Sequence, residues 1–180
     1  ADPEVVAAFR KAWGLDRPLH EQYLIYVWNF ARGDFGTSIS TKQAVALDLR
    51  QRFPATVEVA IVAMIISLVV GVPLGILSAV KRDSVVDQIA RVLSLVGVSM
   101  PVFWLGLVAL LVFYARLGWA PAPGRLSASI IPPTFATGFL LIDSLREWRI
   151  DAALDALQHL ALPAIVLSSY TLGVITRITR

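Results

Sequence analysis

Cysteine is absent from the 180 residues, which excludes both a disulfide framework and a thiolate metal site. Charged residues are also scarce: they make up 16% of the chain, whereas an ordinary soluble domain has about 25%. Hydrophobic residues account for 57%, and the mean hydropathy is +0.70. The formal net charge of +3 is too small to indicate a nucleic-acid partner. This composition is typical of a membrane protein.

The motifs of common enzymes are missing as well. The sequence contains neither a GxxxxGK[ST] phosphate-binding loop nor an HExxH zinc motif. The two histidines, His20 and His159, are far apart and have no cysteine to complete a metal site. The stretch "GDFGTS" contains Ser38 but lacks the GxSxG pattern of a nucleophilic serine. We therefore predict no catalytic residue, no metal site and no cofactor bound by this chain.

What the sequence does have is three long apolar runs. They cover residues 59–80, 92–115 and 160–176, and none of them contains a charged residue. As helices, the first two reach about 33–36 Å, enough for a ~30 Å hydrocarbon core, and the third is near the lower limit. Core helices of a soluble protein are the alternative, but these usually carry a polar face. We predict an all-α, polytopic transmembrane protein with spans near 57–80, 92–117 and 160–176.

Two polar segments accompany these runs. Residues 1–53 contain helix-start signals at Asp2 and at Pro18, and Gly33 is a stop signal. We predict short amphipathic helices there, lying on a membrane or on a partner. Residues 118–159 begin with the turn-rich "GWAPAPGRLSASIIPP" and end in a predicted helix, "DAALDALQHL". In that helix His159 follows Asp155 by four residues, so we predict a structural contact between them.

The distribution of basic residues predicts the orientation. The short loop 81–91 and the chain after the third run lie on the same face of the membrane if all three runs span it. Basic residues concentrate on that face, which indicates the cytoplasm, although Arg50 and Arg52 lie near the membrane on the other face. Long basic side chains reach from a span to the headgroups, and we predict this role for Lys81, Arg82, Arg177 and Arg180.

Glycine and proline interrupt two of the predicted spans. Gly71, Pro73 and Gly75 lie in the first, and Ser99, Pro101 and Trp104 lie in the second. Proline removes a backbone donor and bends a helix, which a membrane helix tolerates against neighbours or a water-lined cavity. Small residues also allow close helix packing. The six residues therefore either line a translocation path or pack helices together.

Four stretches resemble a known family, the inner-membrane permease subunits of ABC importers for dipeptides, oligopeptides and nickel. Together they cover nearly the whole chain in the expected order: "GLDRPLHEQYLIYVWNFARGDFGTSIS", "RFPATVEVAIVAMIISLVVGVPLGILSAVKRDSVVDQ", "GVSMPVFWLGLVALLVFYARLGWAPAPGR" and "LIDSLREW…DALQHLALPAIVLSSYTLGVITRITR".

The resemblance implies a partial type I ABC importer transmembrane domain over residues 54–180. Residues 1–53 and 118–159 would then be extracytoplasmic, and loop 81–91 cytoplasmic. It also implies an earlier span before Ala1, and a coupling helix with two further spans after Arg180.

The resemblance further implies a multi-pass subunit of a bacterial or archaeal cytoplasmic membrane. Its expected partners are a homologous second permease subunit, two cytoplasmic ATP-binding subunits that use the ATP, an extracytoplasmic binding protein and the lipid bilayer. Peptide is favoured over nickel as substrate because cysteine is absent, methionines are few and the two histidines are isolated. The alternatives are a nickel or other small-solute permease, a non-transporting scaffold, and a membrane-embedded enzyme, which would need polar catalytic residues within a span.

Overall fold

A computed structural model describes residues 14–134 and 136–180, and the helix start predicted at Asp2 lies outside these residues. The described residues form helices joined by turns, and their β-structure is limited to an isolated bridge between Thr37 and Ala44. The predicted all-α fold is thus confirmed. The chain divides into two compact units, Ala1–Gln51 and Arg52–Arg180.

The described residues of the first unit, from residue 14 onward, contain one complete helix, α1 (Leu19–Ala31). It follows Pro18, whose fixed φ suits a helix start, and it is followed by Gly33, which adopts a φ of +78°. The helix start predicted at Pro18 and the stop predicted at Gly33 are confirmed. After Gly33, the Asp34 side chain accepts a 3.0 Å bond from the backbone N–H of Gly36 and shapes a turn.

Two long helices dominate the chain. Helix α2 (Val45–Val80) has 36 residues and α6 (Ile150–Thr179) has 30, which correspond to about 54 Å and 45 Å. Both continue through internal prolines, at Pro54 and Pro73 in α2 and at Pro163 in α6. By length and composition, both are able to cross a membrane. The third predicted span, 160–176, is therefore the second part of a helix that begins ten residues earlier.

The second predicted span, 92–117, is divided. Helix α3 (Val85–Ser99) and helix α4 (Val102–Ala109) meet at Pro101, and a π-helical turn (Leu110–Arg116) continues α4. The α3–α4 pair bends by 105° and meets the length and composition of a span only when taken together. Proline explains the break because it cannot donate the next helical bond and disfavours helical geometry in the residue before it.

The connection from α4 to α6 contains one short helix, α5 (Leu140–Arg146). The preceding stretch is rich in proline, as the turn signals predicted. Trp148, just before α6, has a φ of +56°, a conformation that is uncommon for a bulky side chain. The chain there turns sharply from α5 into α6.

Candidate functional site

Helices α2 and α6 cross along a stripe of small residues. Ser67, Gly71 and Gly75 follow one another at four-residue spacing on α2 and are buried. A methyl group placed on Gly75 would lie 2.6 Å from Thr179 Cβ and 2.9 Å from the Thr176 carbonyl oxygen. In the opposite direction, the Thr176 hydroxyl donates a 3.3 Å bond to the Gly71 carbonyl. The crossing therefore depends on side chains small enough for the two backbones to meet.

Helices α3 and α6 approach just as closely. A methyl group on Gly97 would lie 2.5 Å from the Ser169 carbonyl oxygen, and one on Gly173 would lie 2.8 Å from the Ser94 carbonyl oxygen. Each glycine thus lets the backbone of the other helix come into direct contact, because it has no side chain in the way. Helix α6 lies between α2 and α3 and is in close backbone contact with both.

The end of the bundle that carries residues 81–91 is here called the loop end. One carboxylate there, Asp87, accepts hydrogen bonds from side chains of three helices. Asp87 lies in the first turn of α3 and has a relative exposure of 0%. Ser78 of α2 donates to its Oδ1, and Arg91 of α3 donates to its Oδ2 at 2.7 Å. Arg180, after α6, donates from Nε to Oδ1 at 2.7 Å and from Nη2 to Oδ2 at 3.0 Å.

The loop itself closes onto the same carboxylate. The backbone N–H of Asp83 donates to Asp87 Oδ2 at 3.0 Å, and Ser84 caps α3 by accepting the N–H of Asp87. Both carboxylate oxygens of Asp87 therefore accept hydrogen bonds from arginine side chains, which favours the charged form of a carboxyl group.

A second ion pair involves the first half of α2, at the side of the bundle here called the segment end because residues 118–159 contact it. Glu58 of α2 is 6% exposed and accepts a 2.9 Å bond from Arg125 Nη2. Its other oxygen accepts the backbone N–H of Leu141 at 2.9 Å, and Arg125 also donates to the Gly138 carbonyl at 3.0 Å. Glu58 thereby attaches α2 to two distant parts of the same segment.

Asp155 of α6 also binds this segment. Both its oxygens accept bonds from Ser127 at 2.7 Å, one from the backbone N–H and one from the hydroxyl. His159 Nδ1 lies 2.8 Å from the Asp155 carbonyl oxygen and 3.4 Å from its Oδ2. The predicted contact between His159 and Asp155 is confirmed.

Asp143 of α5 fixes a third point of the segment. It is almost fully buried and accepts the backbone N–H groups of Thr137 and Gly138 at 3.0–3.2 Å, together with the Thr137 hydroxyl at 2.9 Å. This arrangement closes the turn that leads into α5. The turn is built by side-chain bonds to backbone donors, a common use of aspartate in turns.

A cavity of about 540 Å³ lies beside α4 and α6, under the proline-rich residues 120–124. The described residues that line it include Phe103, Leu107 and Pro163 and carry no carboxylate, amine or guanidinium. His159 is in its wall. Such a lining suits an apolar group and offers no fixed charge to a charged solute. Among the described residues, no group of three or more His, Cys, Asp or Glu side chains is arranged to hold a metal ion.

A protein family described as "Binding-protein-dependent transport system inner membrane component" matches residues 71–180. The matched region runs from the last third of α2 to Arg180, so it contains the Asp87 junction and the α3–α6 crossing. The chain belongs to this family. The family resemblance predicted from the sequence is thereby confirmed.

Curated relatives of this inner membrane component match the chain almost from end to end. It is 44% identical over 177 residues to the "Probable D,D-dipeptide transport system permease protein" of Escherichia coli (strain K12), covering 98% of this chain and 52% of the relative. It is 43% identical over 180 residues to the "Di/tripeptide transport system permease protein" of Pseudomonas aeruginosa (strain UCBPP-PA14), with 99% and 53% covered. A "Dipeptide transport system permease protein" of E. coli K12 is 40% identical over 181 residues, with the same coverage. The chain spans about half the length of these relatives.

The site residues predicted from the sequence lie in three separate parts of the structure. Gly71 and Gly75 are buried in the α2–α6 crossing, whereas Pro73 between them is exposed. Packing therefore accounts for both glycines. It does not account for Pro73, which faces away from α6.

The second group lies at the bend between α3 and α4. Ser99 ends α3, Pro101 precedes α4, and Trp104 follows in its first turn. All three are exposed in the described structure, with Trp104 at 47%. The structure thus places them together at the bend but away from the buried crossings.

The predicted basic anchors gather at the loop end. Lys81, Arg82 and Arg177 are exposed. Arg180 differs from them because its guanidinium is bound by Asp87 through two hydrogen bonds. Its side chain is therefore fixed to the protein and does not extend freely to the headgroups.

Sequence reasoning missed two carboxylates that organise the bundle, Asp87 and Glu58, and it named Asp155 only as the contact of His159. A signal was present for both of the missed residues. Glu58 is the lone acid next to a long apolar run, and Asp87 lies four residues before Arg91 at helical spacing. Their long-range partners, Arg125 and Arg180, have no local spacing that would reveal them.

Proposed function

We propose that this chain is part of the membrane permease subunit of an ATP-driven ABC importer that carries short peptides across the cytoplasmic membrane. The observation that carries the proposal is the identity of 40–44% to three permeases whose names specify dipeptides or di- and tripeptides. The match covers at least 98% of this chain in each case. Relatives this similar along the whole alignment share a fold and a general transport role.

The family description supports one partner, because it specifies transport dependent on a binding protein. We propose a homologous second permease subunit, two cytoplasmic ATP-binding subunits and an extracytoplasmic binding protein that delivers the peptide. ATP is used by the partner subunits, since this sequence has no phosphate-binding loop. The chain itself contributes a path and catalyses no reaction. In this assembly the loop end faces the cytoplasm, where the basic residues are concentrated.

The bend between α3 and α4 is our proposed contribution to that path. Ser99, Pro101 and Trp104 are exposed there, and the carbonyl groups freed by Pro101 need partners within a membrane. A broken helix of this kind is tolerated where it is buried in protein or lines a water-filled cavity. The exposed side of Pro73 is proposed to face the path or the second permease subunit.

The proposal is tested by uptake in a bacterial host that lacks its own dipeptide permeases. The host receives the full-length permease gene together with the genes of its partner subunits and binding protein. We expect ATP-dependent uptake of a labelled dipeptide, and no uptake when an ATP-binding subunit carries an inactivating substitution in its phosphate-binding loop. Uptake of labelled nickel with no uptake of dipeptide would overturn the assignment of substrate. Uptake of neither, with a normal level of complex in the membrane, would favour a scaffold.

A further inference from the structure

Asp87 joins three helices through side chains alone. Its four side-chain hydrogen bonds come from Ser78 of α2, Arg91 of α3 and Arg180 at the end of α6, and Arg180 binds both carboxylate oxygens. A bidentate arginine–carboxylate pair defines orientation as well as distance. The distance and the orientation of Arg180, which follows α6, are therefore both fixed relative to Asp87 in the first turn of α3.

A buried ion pair is a poor source of stability, because the cost of removing both charges from water offsets their attraction. Apolar residues of similar size often fill such a place equally well. What a fully bonded carboxylate does provide is one defined geometry. The burial of Asp87, with donors on both oxygens, thus points to a role in positioning these helix ends.

Asp87 binds two of the basic residues at the loop end, Arg91 and Arg180. Five basic residues lie there, and Lys81, Arg82 and Arg177 are exposed, with no ion pair to a described residue. Arg91 is shared with the exposed Asp83 at 3.2 Å. Arg180 binds Asp87 alone, so among the described residues this pair is the ionic link between α6 and the loop.

We propose that Asp87 is a positioning residue for transport: it holds Ser78 of α2, the first turns of α3 and Arg180 together, so that the α2–α3 connection (residues 81–84) and α6 move as one body during the transport cycle. The inference rests on the proposed function, in which ATP-binding partners act on the cytoplasmic face where the loop end lies. Without the link, the loop and α6 respond separately to the partners. ATP is then hydrolysed with less peptide moved.

The test measures labelled dipeptide taken up per ATP hydrolysed, in proteoliposomes that contain the complete permease, its partner subunits and the binding protein. Asp87→Asn keeps the shape of the side chain and removes its charge. Glu58→Gln is the matched control, because it removes the charge of another buried carboxylate that is bound by an arginine, on α2 at the segment end. We expect the peptide-to-ATP ratio to fall about tenfold in Asp87→Asn, within the usual range of coupling between sites, and to stay at the wild-type value in Glu58→Gln.

A double variant separates positioning from simple stabilisation. Asp87→Asn combined with Arg180→Gln removes both members of this pair, and Arg91 keeps Asp83 as an ionic partner, so thermal stability of the complex should recover relative to Asp87→Asn. A positioning role predicts that the peptide-to-ATP ratio stays low in this variant. Recovery of the ratio together with stability would overturn the proposal.

The remaining outcomes are also decisive. If Asp87→Asn does not assemble, Arg180→Lys keeps the charge but loses the bidentate geometry, and we expect it to lower the ratio. A wild-type ratio in an assembled Asp87→Asn or Arg180→Lys complex would overturn the positioning role while leaving the proposed function intact. Failure of the wild-type complex to take up dipeptide would instead count against the proposed function.

Discussion

The two ends of the helix bundle are held together in different ways. At the loop end, one carboxylate, Asp87, accepts donors from three helices and from the backbone of a four-residue connection. At the segment end, Glu58, Asp143 and Asp155 each bind a different stretch of the connection between α4 and α6, and backbone N–H groups are among the donors to all three.

The length of the connection explains the difference. A four-residue loop leaves little freedom, so one buried charge is enough to fix the helices that it joins. A segment of more than thirty residues that contains little regular structure must be attached at several points, because each unattached stretch retains conformational entropy. A single substitution should therefore have a concentrated effect at the loop end and a limited one at the segment end.

The largest effect on stability is expected where the loop end is packed most closely. Gly75→Ala places a methyl group 2.6 Å from Thr179 Cβ and 2.9 Å from a backbone oxygen of α6, so the helices must move apart. We expect a loss of about 1–3 kcal/mol, the usual range for overpacking, measured as the thermal stability of the full-length permease in detergent.

Gly106→Ala is the matched control for that experiment. The same methyl group on α4 would lie 3.7 Å from Val166 Cγ1, which is an ordinary contact. Because alanine favours a helix by up to about 1 kcal/mol over glycine, this variant should be neutral or slightly more stable. Equal losses in both variants would show that the α2–α6 crossing is not especially tight.

An intermediate effect is expected for the Glu58–Arg125 pair at the segment end. Glu58→Gln and Arg125→Gln should each reduce thermal stability, and the double variant should lose less than the sum of the two. We expect a coupling energy of about 1 kcal/mol, because the Arg125 side chain is 36% exposed and solvent weakens the pair. Fully additive losses would mean that the two side chains do not interact in the folded protein.

The smallest effect is expected for His159→Gln. His159 contacts the carbonyl group and side chain of Asp155, but Asp155 keeps both bonds from Ser127 without it. We expect dipeptide uptake close to the wild-type level and a stability loss below about 1 kcal/mol. Complete loss of uptake at normal expression would show that His159 has a direct role in transport.

Local patterns in the sequence were enough to predict much of the fold. The apolar runs identified the second part of α2 and the second part of α6, and Pro18 and Gly33 delimited α1. Pro101 marked a bend, but the degree of the bend was not predictable, because it depends on how α3 and α4 pack against α6. The start of α6 ten residues before its apolar run was missed as a continuous helix, since its first turns are polar.

The carboxylate links depended on information that the sequence does not display. Glu58 and Arg125 are 67 residues apart, and Asp87 and Arg180 are 93 residues apart. Only the packing of α6 between α2 and α3 brings Arg180 to Asp87. That packing depends in turn on the glycines, which the sequence suggested as packing residues without indicating the helix they would meet.

The membrane topology of the bundle is tested by the sidedness of residues before and after the α3–α4 bend. Gln88 and Ser129 are both exposed, whereas the hydroxyls of Ser84 and Ser127 hold structural bonds. Single cysteines at Gln88 and Ser129 in a cysteine-free, full-length permease are treated with an impermeant maleimide in intact cells and in inside-out vesicles.

We expect the cysteine at Ser129 to be labelled in intact cells and the one at Gln88 only in inside-out vesicles. The bent α3–α4 pair would then cross the membrane once, with the loop end in the cytoplasm. Labelling of both positions from the same side would instead show that the bent pair enters and leaves the membrane on one face.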